Sequence, residues 1–187
     1  MKKALMIVSV LVVAVISTAC INNIAVQELN NKAAEFMQKG DYESAMSRLQ
    51  ASLDLDSTMY QTYYNLGVAS INAKKFDKAI EALESGIKIN PDFADFYYSL
   101  GVAQISLADE FMEPVEIESE YSDKDVSKEE IKPENVEKAK ELKKSSIENL
   151  NKYLKMVPDS QDKDSICEMI QQSEEFISGE KKEVVRE

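Results

Sequence analysis

A seven-residue segment that recurs after 34 positions constrains the fold of this chain more than any other feature. Residues 63–69 read Tyr-Tyr-Asn-Leu-Gly-Val-Ala and residues 97–103 read Tyr-Tyr-Ser-Leu-Gly-Val-Ala, so six of the seven residues match. A period of this length indicates a supersecondary unit stacked on copies of itself, because a single unit cannot bury its apolar face alone. The sequence therefore predicts a repeat scaffold, and scaffolds of this kind usually bind rather than catalyse.

The unit that begins at Tyr60 has the pattern of two antiparallel helices. Gly67 and Ala79 are small, which lets the helices approach closely, and apolar residues spaced by three and four cover the inner faces. Asn90 and Pro91 end the second helix, because proline cannot continue a helix and biases the preceding residue toward extended backbone. Each unit is therefore predicted to be a helical hairpin.

This unit resembles the tetratricopeptide repeat. A large residue stands fourth, a small one eighth, an aromatic seventeenth, an alanine twentieth and a proline thirty-second, and these are Tyr63, Gly67, Phe76, Ala79 and Pro91. The resemblance implies an all-α fold, a tetratricopeptide-type α-solenoid of three helical hairpins. We predict repeats at about residues 26–59, 60–93 and 94–160, within a repeat domain that covers residues 26–177.

An acidic insertion interrupts the third repeat. Gly101 and Pro158 are 57 residues apart, against 24 for the equivalent pair in the second repeat, which leaves 33 extra residues. Between Asp109 and Glu137, twelve acidic residues stand against three lysines and supply −9 of the net charge of −12. We predict that the insertion, at about residues 109–137, consists of extended helix ends and an acidic loop.

One further amphipathic helix is predicted at about residues 163–177, where it would cap the array. Asp164 or Ser165 can cap its start, and Glu168 completes a capping box with Ser165. Cys167 is expected to pack as a small apolar residue on this helix. The charged residues 178–187 predict a disordered tail.

The first nineteen residues have the composition of a secretory signal. Two lysines precede an apolar run that extends from Ala4 to Ile16 and is broken only at Ser9, and small residues lead to Cys20. This segment resembles the bacterial lipoprotein processing site. The resemblance implies that residues 1–19 are removed, that Cys20 is acylated and that residues 20–25 form a tether to the membrane.

Two other interpretations of the N-terminus stay open: cleavage near Ala19 without lipidation, and an uncleaved anchor. The anchor is disfavoured because the apolar run is shorter than the roughly 20 residues that span a bilayer. Without acylation, a disulfide between Cys20 and Cys167 becomes possible. With acylation, we expect a protein of the bacterial cell envelope. The periplasmic face of the outer membrane is favoured over the inner membrane, because Ile21 replaces the aspartate of inner-membrane retention.

Composition argues against several classes of function. The net charge of −12 opposes nucleic-acid binding, and the chain contains neither histidine nor a glycine-rich phosphate loop, so we expect no enzyme and no cofactor. Four residues of the insertion have the spacing of a calcium loop, namely Asp123, Asp125, Ser127 and Glu134. Lys128, however, stands where that loop needs glycine, and Pro133 adjoins the last carboxylate, so no metal site is expected.

The expected activity is capture of a protein or peptide partner in a concave groove. The resemblance implies that the first helix of each hairpin lines this groove, and the best candidate residues are Asn31, Tyr64, Asn65, Val68, Asn72, Tyr98, Val102 and Ile105. Tyr64 and Tyr98 are the expected anchors, since aromatic residues with a polar tip dominate interfaces. The same positions in the first repeat also include Asn30 and Met37. Tyr63 and Tyr97 are instead expected to pack between helices.

Some members of the family hold a partner's C-terminal carboxylate with a basic clamp. Gln27, Asp95 and Ser99 occupy the cationic positions of that clamp, so carboxylate capture is disfavoured. The preferred function is a membrane-anchored scaffold that binds a protein partner. The alternative is a ligand- or ion-binding accessory lipoprotein in which the acidic insertion gates a pocket.

Overall fold

The computed structural model describes residues 23–117 and 128–179. The signal segment, Cys20, most of the calcium-like spacing and nearly all of the predicted tail lie outside these residues. In the described ranges the chain forms seven helices and two short strands. They are α1 (described from residue 23 to 38), α2 (Tyr42–Leu55), α3 (Tyr60–Asn72), α4 (Phe76–Ile89), α5 (Asp95–Phe111), β1 (Val115–Ile117), β2 (Lys128–Glu130), α6 (Pro133–Met156) and α7 (Lys163–Ser178).

The chain divides into two compact units. Unit 1 is Met1–Pro91 and contains α1 to α4, while unit 2 is Asp92–Glu187 and contains α5 to α7 with both strands. In the described part of the chain, no helix combines the length and the apolar character that a membrane crossing requires.

Unit 1 consists of two helical hairpins whose turns follow the repeat. Gly40 adopts a left-handed φ of 74° in the first turn, and Lys74, one period later, adopts 56°. Asp41 then caps α2, because its carboxylate accepts a hydrogen bond from the Ser44 amide at 3.1 Å. The hydrogen bonds from Ser44 also hold the pKa of Asp41 below its usual value. Gly40 and Asp41 thus form the turn that joins α1 to α2.

The core of unit 1 is made of small and aliphatic side chains. Its buried members come from α1, α2 and α3, and they are Ala33, Ala45, Met46, Leu49 and Ala69. At the centre of the second hairpin, Gly67 of α3 faces Leu83 of α4 so closely that a Cβ on Gly67 would lie 2.5 Å from Leu83 Cγ. The prediction that this glycine permits the close helix approach is confirmed.

Unit 2 uses the same packing at its own hairpin. A Cβ on Gly101 of α5 would lie 2.7 Å from Leu150 Cγ of α6. Leu83 follows Gly67 by 16 residues, whereas Leu150 follows Gly101 by 49. The difference of 33 residues therefore lies between two helix segments that pack like those of an uninterrupted repeat.

The helices of this hairpin are longer than those of unit 1, as predicted. α5 has 17 residues against 13 in α3, and α6 has 24 against 14 in α4. The connection is more than the predicted acidic loop, because β1 and β2 pair in an antiparallel ladder with Val115 opposite Glu130 and Ile117 opposite Lys128. Residues 23–25, which we expected in the tether, are helical.

α7 departs from the sequence expectations at its start and at its cysteine. The helix begins at Lys163 after Asp162, with no side-chain capping bond, so the predicted capping box of Ser165 is wrong. The prediction that Cys167 packs is also wrong, because its side chain is exposed and the neighbouring Ile166 takes the buried position. Adjacent helical residues point about 100° apart, and on α7 this rotation turns Cys167 away from the surface that buries Ile166.

α7 also ends one residue later than predicted. Ser178, which we expected in the tail, is the last helical residue, and Gly179 follows with a left-handed φ of 73°. A glycine in this conformation is a common helix end, since it carries no Cβ to clash with the preceding turn.

Replacing Gly67 by alanine should destabilise unit 1. The new methyl group would overlap the Leu83 side chain, and overpacking of this kind typically costs about 1–3 kcal/mol, against a helix-propensity gain of about 0.5–1 kcal/mol. We expect a net loss of about 1–2 kcal/mol in the free energy of unfolding, measured by urea denaturation. Gly101→Ala should act similarly through Leu150.

Ser47→Ala on α2 is the matched control, since Ser47 is exposed and should change stability by less than about 0.5 kcal/mol. Leu83→Ala should cost less in the Gly67→Ala background than in the unchanged protein, because it makes room for the methyl group. Equal costs in both backgrounds would show that the Gly67–Leu83 contact does not limit the packing.

Candidate peptide-binding surface

The candidate residues of α3 occupy one face of that helix. At about 100° per residue, Tyr64, Asn65, Val68 and Asn72 fall within an arc of about 100°. None of the four is buried: Asn72 is exposed and the other three are half-buried. The buried residues of α3 fall on the opposite arc, and they are Thr62, Gly67, Ala69 and Ser70. The helix therefore presents its candidate residues away from the core of unit 1.

The same division holds on α5 in unit 2. Tyr98, Val102 and Ile105 share a narrow arc of the helix and are all half-buried. The residues on the opposite arc, including Phe96, Leu100 and others, are buried against the rest of the unit. The eight candidates thus form two groups, one in each unit, and each group lies on the less buried side of its helix.

Asn31 belongs to the group in unit 1. It is exposed on α1, and its neighbour Asn30 shows that α1 and α3 lie side by side, because Thr62 Oγ1 of α3 donates to Asn30 Oδ1 at 3.2 Å. Asn31 therefore flanks the seam between the two helices that carry the unit 1 candidates.

Asn30 itself is a structural residue rather than a binding residue. Its amide nitrogen donates to Val26 O at 2.9 Å and to Ser52 Oγ at 2.7 Å, and its oxygen accepts from Thr62. The side chain thus satisfies buried hydroxyls of α2 and α3 at once. Met37 is likewise committed to the core of unit 1. Only the tertiary contacts reveal that these two half-buried positions, which we expected along the groove, also pack within unit 1.

Asn72 and Tyr98 are among the candidates that already make contacts within the protein. Asn72 Nδ2 donates to Val68 O at 2.8 Å, so part of its amide is used inside its own helix. The ring of Tyr98 packs against that of Tyr153 of α6 with a centroid distance of 5.4 Å and an interplanar angle of 46°. Burial raises the pKa of Tyr98 above its usual value, and Asp162 and Tyr153 act in the same direction. Tyr98 is therefore held in one place as a neutral aromatic face.

Tyr97 and Tyr63 differ from these anchors. Tyr97 is buried, and its hydroxyl accepts a hydrogen bond from Lys152 Nζ of α6 at 2.7 Å, which confirms its predicted packing role. Tyr63 is half-buried and lines a cavity of about 650 Å³ in unit 1. That cavity is bordered by α2, α3, α4 and Ser57, which lies between α2 and α3, and none of its lining residues belongs to the insertion.

A polar seam between α5 and α6 was not anticipated from the sequence. Asn149 Nδ2 donates to Gln104 Oε1 at 3.0 Å, and Lys143 Nζ donates to Asp109 Oδ1 at 2.7 Å. Lys143 is buried and lies 5.1 Å from the ring centroid of Phe176 in α7. Periodicity alone could not find this seam, because lysine and asparagine at core positions are indistinguishable from surface residues until their partners are known.

The positions of the carboxylate clamp do not form a basic site. Gln27 Nε2 donates to Asn23 Oδ1 at 3.0 Å, Asp95 is exposed, and Ser99 is buried. The eight candidates likewise include no cation. Among the described residues there is also no group of three or more histidine, cysteine, aspartate or glutamate side chains placed to hold a metal ion.

Comparison with known proteins supports this architecture. The profile described as Tetratricopeptide repeat matches residues 36–105. No curated protein matches the chain. Among solved structures, the first tetratricopeptide domain of Spaghetti (RPAP3), bound to an HSP90 peptide, is 15% identical with a TM-score of 0.57, over 82% of this chain and 93% of that one.

Two further solved structures have the same fold. The OM64 tetratricopeptide domain of Arabidopsis is 12% identical with a TM-score of 0.58, over 81% of this chain and 96% of that one. The Yersinia enterocolitica type III secretion chaperone SycD, in complex with a peptide of the translocator YopD, is 14% identical with a TM-score of 0.58, over 82% and 94%. The chain is thus a helical-hairpin repeat protein. Its fold is that of the tetratricopeptide repeat.

Asn30→Ala and Asn31→Ala should separate a structural role from a surface role at adjacent positions. Removing the Asn30 amide leaves the buried hydroxyls of Ser52 and Thr62 without this partner, which should cost about 1–3 kcal/mol. Asn31→Ala should change stability by less than about 0.5 kcal/mol, because its side chain is exposed. Chemical denaturation measures both, and equal losses for the two variants would contradict the assignment.

Proposed function

We propose that this protein is a scaffold that binds extended segments of a protein partner, through the candidate face of α3 in unit 1 and the candidate face of α5 in unit 2. The observation that carries the proposal is the arrangement on α3, where amide, aromatic and small aliphatic side chains share one unburied arc. Such a surface suits a peptide backbone, since amides exchange hydrogen bonds with it while Tyr64 and Val68 contact its side chains.

The fold supports this function without specifying the partner. Two of the solved structures that share the fold are named as complexes with peptides, one of HSP90 and one of YopD. The clamp positions in this chain lack cations, so the proposed contacts are with the backbone and side chains of the peptide rather than with its terminal carboxylate. The strong negative charge of the chain favours a partner that is not itself acidic.

We further propose that the scaffold is anchored to a membrane of the bacterial cell envelope through lipid on Cys20. The support is the basic, apolar and small-residue succession that ends at Cys20. Acyl chains contribute roughly 0.8 kcal/mol per buried methylene, and two or more chains anchor a protein stably. The periplasmic face of the outer membrane is the preferred location.

Replacing Tyr64 and Tyr98 together by alanine should abolish partner capture. Affinity purification from the native membrane, followed by identification of the co-purified protein, measures capture by the unchanged chain and by the variant. Circular dichroism should show unchanged helicity, because neither residue belongs to the buried set of its helix. Arg48→Ala, at an exposed position of α2, is the control and should retain the partner. Full capture by the double variant would place the site elsewhere.

Cys20→Ser should release the protein from the membrane. The serine hydroxyl does not replace the cysteine thiol in lipid attachment, so the variant should lose metabolic fatty-acid labelling and leave the membrane fraction. Cys167→Ser is the matched control and should keep both properties, since it removes the only other cysteine. Intact mass of the mature protein without added acyl groups would contradict the anchor but leave the peptide-binding proposal unaffected.

A further inference from the structure

The cavity in unit 1 lies on the opposite side of α3 from the candidate peptide-binding residues. Tyr63 and Leu66 of α3 line the cavity, whereas Tyr64 and Val68 belong to the candidate face. At about 100° per residue, the two pairs point in opposite directions from the helix axis. The cavity is therefore a separate surface, and no residue of the proposed peptide-binding face contributes to it.

The second helices of the two hairpins form the walls of this cavity. From α2, lining residues recur with spacings of three and four, as they do on α4, so each helix offers one continuous stripe to the space between them. The volume of about 650 Å³ lies within the range of protein ligand sites. The shape is a groove between two helices rather than an enclosed hole in the core.

The groove combines an apolar floor with acidic walls. Met46, Leu53 and Ala82 are buried at its base, and Tyr63 adds an aromatic ring. Asp54 on the α2 wall and Glu81 on the α4 wall are both exposed. Within the described residues neither carboxylate forms a salt bridge, since Asp54 receives only the neutral amide of Gln50 at 3.2 Å.

The charge of the groove selects for a cation. Its lining contains three carboxylates, those of Glu43, Asp54 and Glu81, against the single ammonium group of Lys78. Lys75 Nζ already bonds Glu43 at 2.6 Å, so the carboxylates without a basic partner stand one on each wall.

We propose that this groove is a second docking site, which binds a basic amphipathic segment of a partner protein. Apolar side chains of the segment would contact the floor, and lysine or arginine side chains would pair with Asp54 and Glu81 on either side. An acidic segment would meet repulsion from both walls. The site is separate from the candidate peptide-binding face of α3, so unit 1 could hold two partners at once.

A synthetic peptide of alternating lysine and leucine, carrying a benzophenone group, tests the proposal. The probe is added to the full chain in an uncharged detergent, and photocrosslinks are mapped by mass spectrometry while affinity is followed by fluorescence anisotropy. We expect saturable binding and crosslinks on α2 and α4 that border the groove. The matching glutamate–leucine peptide controls for detergent partitioning and should not crosslink there.

Two variants distinguish the groove from general attraction to an acidic protein. Ser47→Phe fills the groove from an exposed lining position without changing charge, and it should abolish the crosslinks. Asp54→Asn with Glu81→Gln should weaken binding by roughly tenfold, because it removes the exposed carboxylate on each wall that pairs with the peptide. Glu35→Gln with Glu84→Gln removes the same charge outside the groove and should weaken it far less.

Several outcomes would overturn the proposal. They are equal binding of the glutamate–leucine peptide, crosslinks that map to α1 or to the candidate face of α3, and unchanged binding by Ser47→Phe. Dimerisation of the unchanged chain that Ser47→Phe abolishes, measured by analytical ultracentrifugation, would assign the groove to a second copy instead. Tyr64→Ala should leave binding of the basic peptide intact, so a failure here is separable from a failure of the proposed function.

Discussion

The close approach of two antiparallel helices at a glycine is the contact on which each hairpin depends. Gly67 against Leu83 and Gly101 against Leu150 leave no room for a methyl group, and both leucines are fully buried. Close packing at the glycine fixes the rotation of each helix about its own axis, and therefore which of its other residues face the partner helix. One arc packs inward and the other is left for binding. The candidate faces of α3 and α5 are therefore consequences of where the glycines stand.

The insertion shows how local this packing is. Thirty-three additional residues separate Gly101 from Leu150, yet the contact equals that of the uninterrupted hairpin. Lengthened helices and the short β1–β2 ladder take up part of the added chain. A long connection costs little because loop-closure entropy grows only with the logarithm of its length. The acidic charge of the insertion can thus be carried without changing the hairpin.

Both proposed binding surfaces of unit 1 follow from a single property of α3. Its candidate face carries Tyr64 and its neighbours, while Tyr63 and Leu66 point between α2 and α4. Because neighbouring helices cover only part of the surface of α3, solvent can reach this helix on more than one side. The two surfaces differ in chemistry, since one offers amides and an aromatic ring and the other offers carboxylates above an apolar floor. They would consequently select different partners.

The repeat period by itself determined the all-α class, the hairpins and the faces of their first helices, because 34-residue spacing and small residues at fixed positions are local signals. Only the tertiary contacts decided which side chains are used within the fold and which are exposed. Asn30 and Asn31 look alike in sequence, but Asn30 bonds three helices and Asn31 is exposed. The groove between α2 and α4 and the exposure of Cys167 have the same origin. Whether a polar or small residue is buried depends on which side chains of the neighbouring helix face it. The spacing of residues along a single helix does not contain that information.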